Sequence, residues 1–138
     1  MQEKPARWCS TGVSNREGPT GSLVVITSSL KFGTGILSGN MKLEGLVENT
    51  STTETYTNVQ IRITFLTESG NSLGSGLDSG VTIEDAQGNN VSAPLGFIAP
   101  GHRGFFNQNT GADPAMSAKY RIEMTSDQGN GILLEGSI

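Results

Sequence analysis

Apolar and polar residues alternate strictly through the middle of the chain. Val59, Ile61, Ile63 and Phe65 alternate with Gln60, Arg62, Thr64 and Leu66. Successive side chains of a strand point to opposite faces, so this period of 2 lines one face of a sheet with apolar residues and leaves the other wet. Met41, Leu43, Gly45 and Val47 repeat the pattern against Lys42, Glu44, Leu46 and Glu48. Tyr120, Ile122 and Met124 repeat it against Lys119, Arg121 and Glu123. A shorter apolar run, Leu23 to Ile26, continues through Thr27 to Phe32 as another strand. Ile132 to Leu134 begins a last one that reaches Ile138.

Turn residues separate these runs. Glu68 to Asn71, Gln87 to Asn90, Pro100-Gly101 and Gln128 to Gly131 are rich in the residues that turns require. Gly33-Thr34-Gly35 reads as a hairpin turn, since no Lys-Ser/Thr and no helix follows to make a phosphate loop. The best helical candidate is Asp113 to Ala118, one or two turns long, with Asp113 as cap and Pro114 at the first position. No segment carries an apolar stripe of period 3.6. Seven or so short strands, each with one apolar face, predict an all-β, immunoglobulin-like two-sheet antiparallel β-sandwich. Its core is expected to be aliphatic, with Phe65, Phe97, Phe105 or Phe106, and Tyr120.

Composition narrows this picture. A chain of 138 residues makes one ordinary domain. Its 19 glycines suit many short elements joined by turns. Residues 1–21 are polar and aperiodic, with Pro5, Gly12, Gly18, Pro19 and Gly21. They read as a flexible arm or leader before a single sandwich domain over residues 22–138. Trp8, the chain's one Trp, is the candidate anchor of that arm on a neighbouring subunit.

Charge excludes some partners. The net charge is −4, and Lys4 with Arg7 is the closest approach to a basic cluster. That is too thin for the basic stripe that nucleic acids require. No stretch reaches the roughly 18 apolar residues of a membrane-spanning helix. Cys9 is alone, so no internal disulfide forms. Residues 1–22 contain no apolar signal segment, which leaves open either a removed signal or a native start at Met1.

The string from Met41 to Gly76, followed by Ile98 to Phe106 and later Tyr120 to Met124, resembles the FxLyD-type domains of bacterial and archaeal envelope proteins. Gly45, Val47, Asn49 and Thr50 match that family's first strand end. Val59, Ile61 and Ile63 match its second strand. Leu66, Gly70 and Leu73 match the turn beyond it, and Pro100, Gly101 and Phe105 or Phe106 match a later strand start. The resemblance covers roughly residues 41 to 125. Thr67 and Glu68 stand where the family usually has Tyr and Asp, and Ser79 to Gly96 reads as an inserted hairpin with Gly88-Asn89-Asn90 at its tip. The resemblance implies a non-catalytic extracellular module.

Candidate chemistry is sparse. His102 is the only histidine, which excludes a multi-His zinc site and leaves a triad one candidate base. It follows Pro100-Gly101 and reads as an exposed turn residue. Cys9 lies in the polar arm, where no pocket would lower its pKa. Adjacent Glu84 and Asp85 face opposite ways on a strand, and Glu44 and Glu48 would stand about 13 Å apart on one. That separation is too wide for the carboxylate pair of a glycosidase. Glu84, Asp85, Asn89 and Asn90 are oxygen donors around Gly88, but their order does not match a calcium-binding loop, and turn chemistry accounts for them. Asn49-Thr50-Ser51 and Asn90-Val91-Ser92 are glycosylation sequons.

Three functions are compatible with this reading. The first is a non-catalytic module for protein binding or assembly at a cell surface or envelope. The second is a virion structural protein, such as a capsid decoration or minor capsid protein. The third is a carbohydrate-binding or glycosidase-like sandwich, which the missing acid–base pair disfavours. No cofactor or metal is expected. The expected partner is a protein or a second copy, through Trp8 and through Ile132 and Leu134 on an uncharged edge strand.

Overall fold

The computed structural model describes residues 22–138. Eight strands form: β1 (Leu23–Thr34), β2 (Met41–Asn49), β3 (Gln60–Leu66), β4 (Ser72–Asp78), β5 (Thr82–Glu84), β6 (Arg103–Asn109), β7 (Lys119–Thr125) and β8 (Gly131–Ser137). They build two four-stranded sheets, ordered β1-β2-β6-β5 and β4-β3-β7-β8. Every pairing is antiparallel. The fold is therefore all-β, a two-sheet antiparallel sandwich.

The core sits where the alternation places it. In β2 buried and half-buried residues alternate without a break from Met41 to Asn49. Leu43 and Val47 from β2, Ile61, Ile63 and Phe65 from β3, and Ile122 from β7 are all shut off from solvent. Burying one such side chain contributes about 1.5–3 kcal/mol, so these strands hold the sheets together.

The aromatic part of the core differs from expectation at Phe97. Phe65, Phe106 and Tyr120 are buried, but Phe97 is 38% exposed and Phe105 36%. Phe106 lies opposite Gly45 on the inner face, which turns its neighbour Phe105 outward against Leu46. In the loop before β6 the inward residue is Ile98, and it forms an isolated bridge with Tyr56. Tyr56 is fully buried, though no alternation announces it.

The helical candidate makes only a hydrogen-bonded turn. Asp113 does cap it: Oδ1 accepts from the Ala115 N–H at 3.0 Å, and the Asp113 carbonyl accepts from the Met116 N–H at 3.1 Å. The Ala118 N–H then donates to the Leu66 carbonyl at 2.9 Å, which draws the chain straight into β7. The first hairpin also turns later than expected. Gly33 and Thr34 complete β1, and the turn runs from Gly35 to Asn40, closed by a 2.8 Å hydrogen bond from the Gly35 N–H to the Asn40 carbonyl.

One side of the sandwich is closed by glycine. Gly74 and Gly76 lie opposite Phe65 and Ile63, so they occupy the inner face of β4. A Cβ at Gly74 would come within 2.5 Å of the Thr110 carbonyl oxygen, and one at Gly76 would collide with that of Asn109. Without side chains there, β4 lies against the end of β6. Asp78 Oδ2 accepts from the Asn107 N–H at 2.8 Å and ties the two strands. On the opposite side, Phe32 of β1 packs edge-on against Phe65 and Tyr120, with ring centroids 6.2 and 5.2 Å away.

Candidate interaction surfaces

The polar residues that could carry chemistry are largely engaged in holding loops. Asn49 ends β2 with no exposed surface. Its Nδ2 donates to the carbonyls of Glu54 at 2.7 Å and Ile98 at 2.9 Å. Its Oδ1 accepts from the Ser51 N–H at 3.0 Å. The first sequon is thus closed to modification in the folded chain. Asn90 of the second is exposed, at the foot of the hairpin that follows β5.

That hairpin shows how the acidic loop is used. Asp85 Oδ1 accepts from the N–H groups of Gln87 and Asn89, both at 2.9 Å. Hydrogen bonding from the Asn89 N–H, aided by the Asn89 side chain, the Gln87 N–H and the nearby His102, holds the Asp85 carboxyl below its usual pKa. Gly88, at a φ of 88°, takes the left-handed position of this turn. Among the described residues no three His, Cys, Asp or Glu side chains gather as a metal site.

His102 closes a turn in which its N–H donates to the Ala99 carbonyl at 3.0 Å and Gly101 has a φ of 80°. This is the type II turn that Pro100-Gly101 encodes. Glu44 and Glu48 lie on the outer face of β2, beside Lys31 and Arg103 respectively in the strand register. Cys9 and Trp8 lie outside the described residues.

Apolar side chains left in water are the more informative feature. Ile132 is 55% exposed on the outer face of β8, opposite Glu123. Leu134 lies opposite Ile122 and packs against the core, because an extra residue between the two pairs shifts the register of β8. Of this pair, Ile132 is the one presented to solvent. The outer face of the first sheet carries a second feature. Ile26, Leu46 and Phe105 are direct cross-strand neighbours on β1, β2 and β6. Val24, 39% exposed, adjoins this row. The sequence signal was Leu46 itself, an apolar residue in the polar phase of β2. Ile36 and Leu37 are both fully exposed at the tip of the β1–β2 hairpin.

A shallow depression beside β8 is lined by Leu66, Tyr120, Lys119, Arg121 and Glu135. Arg121 Nε and Glu135 Oε2 pair across it at 2.7 Å.

These surfaces belong to an all-β, two-sheet antiparallel sandwich. Comparison with protein-family profiles and with curated proteins found no match.

Proposed function

We propose that this chain is a non-catalytic, immunoglobulin-like β-sandwich module that works by protein contact or assembly at a cell surface or envelope. The row Ile26–Leu46–Phe105 carries the reading. An antiparallel sheet with one wet face normally keeps that face polar. Apolar side chains aligned across three strands leave surface in water whose burial is worth about 25 cal/mol per Å². Such patches on soluble domains mark contact sites. The polar rim, with Glu44, Glu48 and Arg103 in register beside the row, suits an interface that forms and dissociates.

Strand order supports the finer fold. In immunoglobulin lettering the sheets read A-B-E-D and C′-C-F-G, the order of that sandwich with one added strand. The envelope setting rests on the likeness of Gly45, Val47, Asn49, Thr50 and the Pro100-Gly101 turn to FxLyD-type domains.

A photoreactive benzoylphenylalanine at position 105 tests the reading. Irradiated with an envelope fraction of the source cells, it should give one discrete adduct, which Leu46→Lys removes. A folded protein that forms no adduct there overturns the proposal. Release of sugar from polysaccharide by the purified domain would return the glycosidase reading instead.

A further inference from the structure

A β-sandwich has four sheet edges, and each exposes unpaired backbone N–H and C=O groups unless something blunts it. Three of the edges here are blunted. β5 has three residues, and the returning chain covers it: Asn90 bridges Glu84, and the Val91 N–H donates to the Ile83 carbonyl at 3.0 Å. β4 is crowded by β6, which lies against its inner-face Gly74 and Gly76 and whose Asn107 N–H donates to Asp78. β1 breaks register between Ile26 and Lys31, where Ser29 Oγ replaces the backbone by accepting from the Leu46 N–H at 2.8 Å. It also carries an exposed lysine, Lys31.

β8 lacks these devices. It runs seven residues, contains no proline and no lysine, and among the described residues no strand pairs with its outer side. Its one irregularity, the register shift beside Ile122, leaves Leu134 to Ser137 in regular pairing with β7. Its one charge, Glu135, is taken up by Arg121 on the neighbouring strand.

We propose that β8 pairs antiparallel with β8 of a second copy, joining two four-stranded sheets into one of eight strands across a two-fold axis. The inference rests on the assembly reading above and names its partner and surface. Two features select a second copy. First, an edge whose only charge is neutralised within its own sheet can approach an identical edge without opposing bare like charges, which destabilise facing strands. Second, β8 pairing with its own copy across a two-fold axis is an isologous contact, which closes at two subunits and does not propagate into a fibre. Ile132, standing in water beside this edge, gains cover from the partner strand.

Light scattering coupled to size exclusion should give twice the chain mass. The geometry is then read by spin labelling Ile132→Cys and, separately, Leu37→Cys, each in a Cys9→Ser background. Both positions are exposed, so the labels leave the core undisturbed. Paired strands lie about 4.8 Å apart and rise about 3.4 Å per residue, so labels at 132 should fall within about 30 Å of each other. Amide exchange across residues 131–137 should slow as concentration rises. A single-chain mass at every concentration overturns the inference and leaves the binding reading standing. A two-chain mass with short distances at 37 and long ones at 132 also overturns it, moving the contact to the hairpin tip while the assembly reading survives.

Discussion

The side-chain amide of Asn49 donates to the main-chain carbonyl of Ile98 at 2.9 Å, and Asn49 has no exposed surface. The same Nδ2 reaches the Glu54 carbonyl, while the Asn49 backbone bonds to His102 and Gly101. One residue therefore fastens the end of β2 to both loops that cross that end of the sandwich. Asn49→Ala leaves the Glu54 carbonyl and the Ser51 N–H without their partner, at about 1–3 kcal/mol each where water cannot replace it, while the Ile98 carbonyl keeps the Tyr56 N–H at 3.0 Å. Urea denaturation should show a loss of about 2–4 kcal/mol. Asn49→Asp should be worse, since it sets a carboxylate against two carbonyl oxygens. In a glycosylating host, intact-mass analysis should find glycan at Asn90 and none at Asn49.

The glycines of β4 make a sharper test of packing. A Cβ at Gly76 meets backbone, the Asn109 carbonyl, which cannot rotate away. Gly76→Ala should force β4 off β6 and cost more than about 2 kcal/mol, in the range of overpacked cores. Gly33→Ala is the control. Its nearest neighbours are Lys42 side-chain atoms at 3.7 and 3.8 Å, so its thermal midpoint should stay within a degree or two of the parent.

These two sites show what the sequence reveals and what it conceals. β2, β3 and β7 were legible because large apolar side chains mark their alternation, with only Gly45 of β2 missing from the inner phase. β4 was not, because its inner positions are Gly74 and Gly76, and a missing side chain leaves no period to read. Tyr56 and Ile98 were hidden for a different reason. They meet at one isolated bridge between two loops, and a single pair has no periodicity. Of the surfaces, the open character of β8 was readable from its low charge, but that Leu134 faces the core was not, because the register shift is a property of pairing. The row on the first sheet needs the strand register to bring Ile26, Leu46 and Phe105 together.

Tyr56 predicts an alkaline dependence. Burial raises its hydroxyl above the ordinary value of 10.0, and the neighbouring Ser22 offsets part of that rise. The fold favours the neutral phenol, so this contribution is fully present below 10.0 and is lost as pH climbs through the raised value. Tyr120 is raised by burial as well and acts in the same direction. Tyr56→Phe should flatten part of the fall in stability above pH 10, followed by denaturation across the alkaline range. At neutral pH the substitution should cost less than about 1 kcal/mol, because the buried hydroxyl has no hydrogen-bond partner of full geometry among the described residues.

Stability and contact should separate on the outer face of the first sheet. Leu46 and Phe105 lie side by side there, and Phe105 is 36% exposed. Neither reaches the core, whose adjacent positions are Val47 and Phe106. Leu46→Lys together with Phe105→Glu places opposite charges on facing residues where water already has access. The double variant should unfold within about 1 kcal/mol of the parent, as surface substitutions usually do. If the row serves contact, binding to the partner should fall at least tenfold in a titration while the urea midpoint barely moves. A large loss of stability with unchanged binding would make the row a structural seam of the sheet and remove the main support for the proposed function. Glu44 and Glu48 flank Leu46 on β2, so the new lysine at 46 has acidic neighbours two residues away on the same face. That proximity keeps the lysine from destabilising the sheet by repulsion and makes a binding defect attributable to the lost apolar surface.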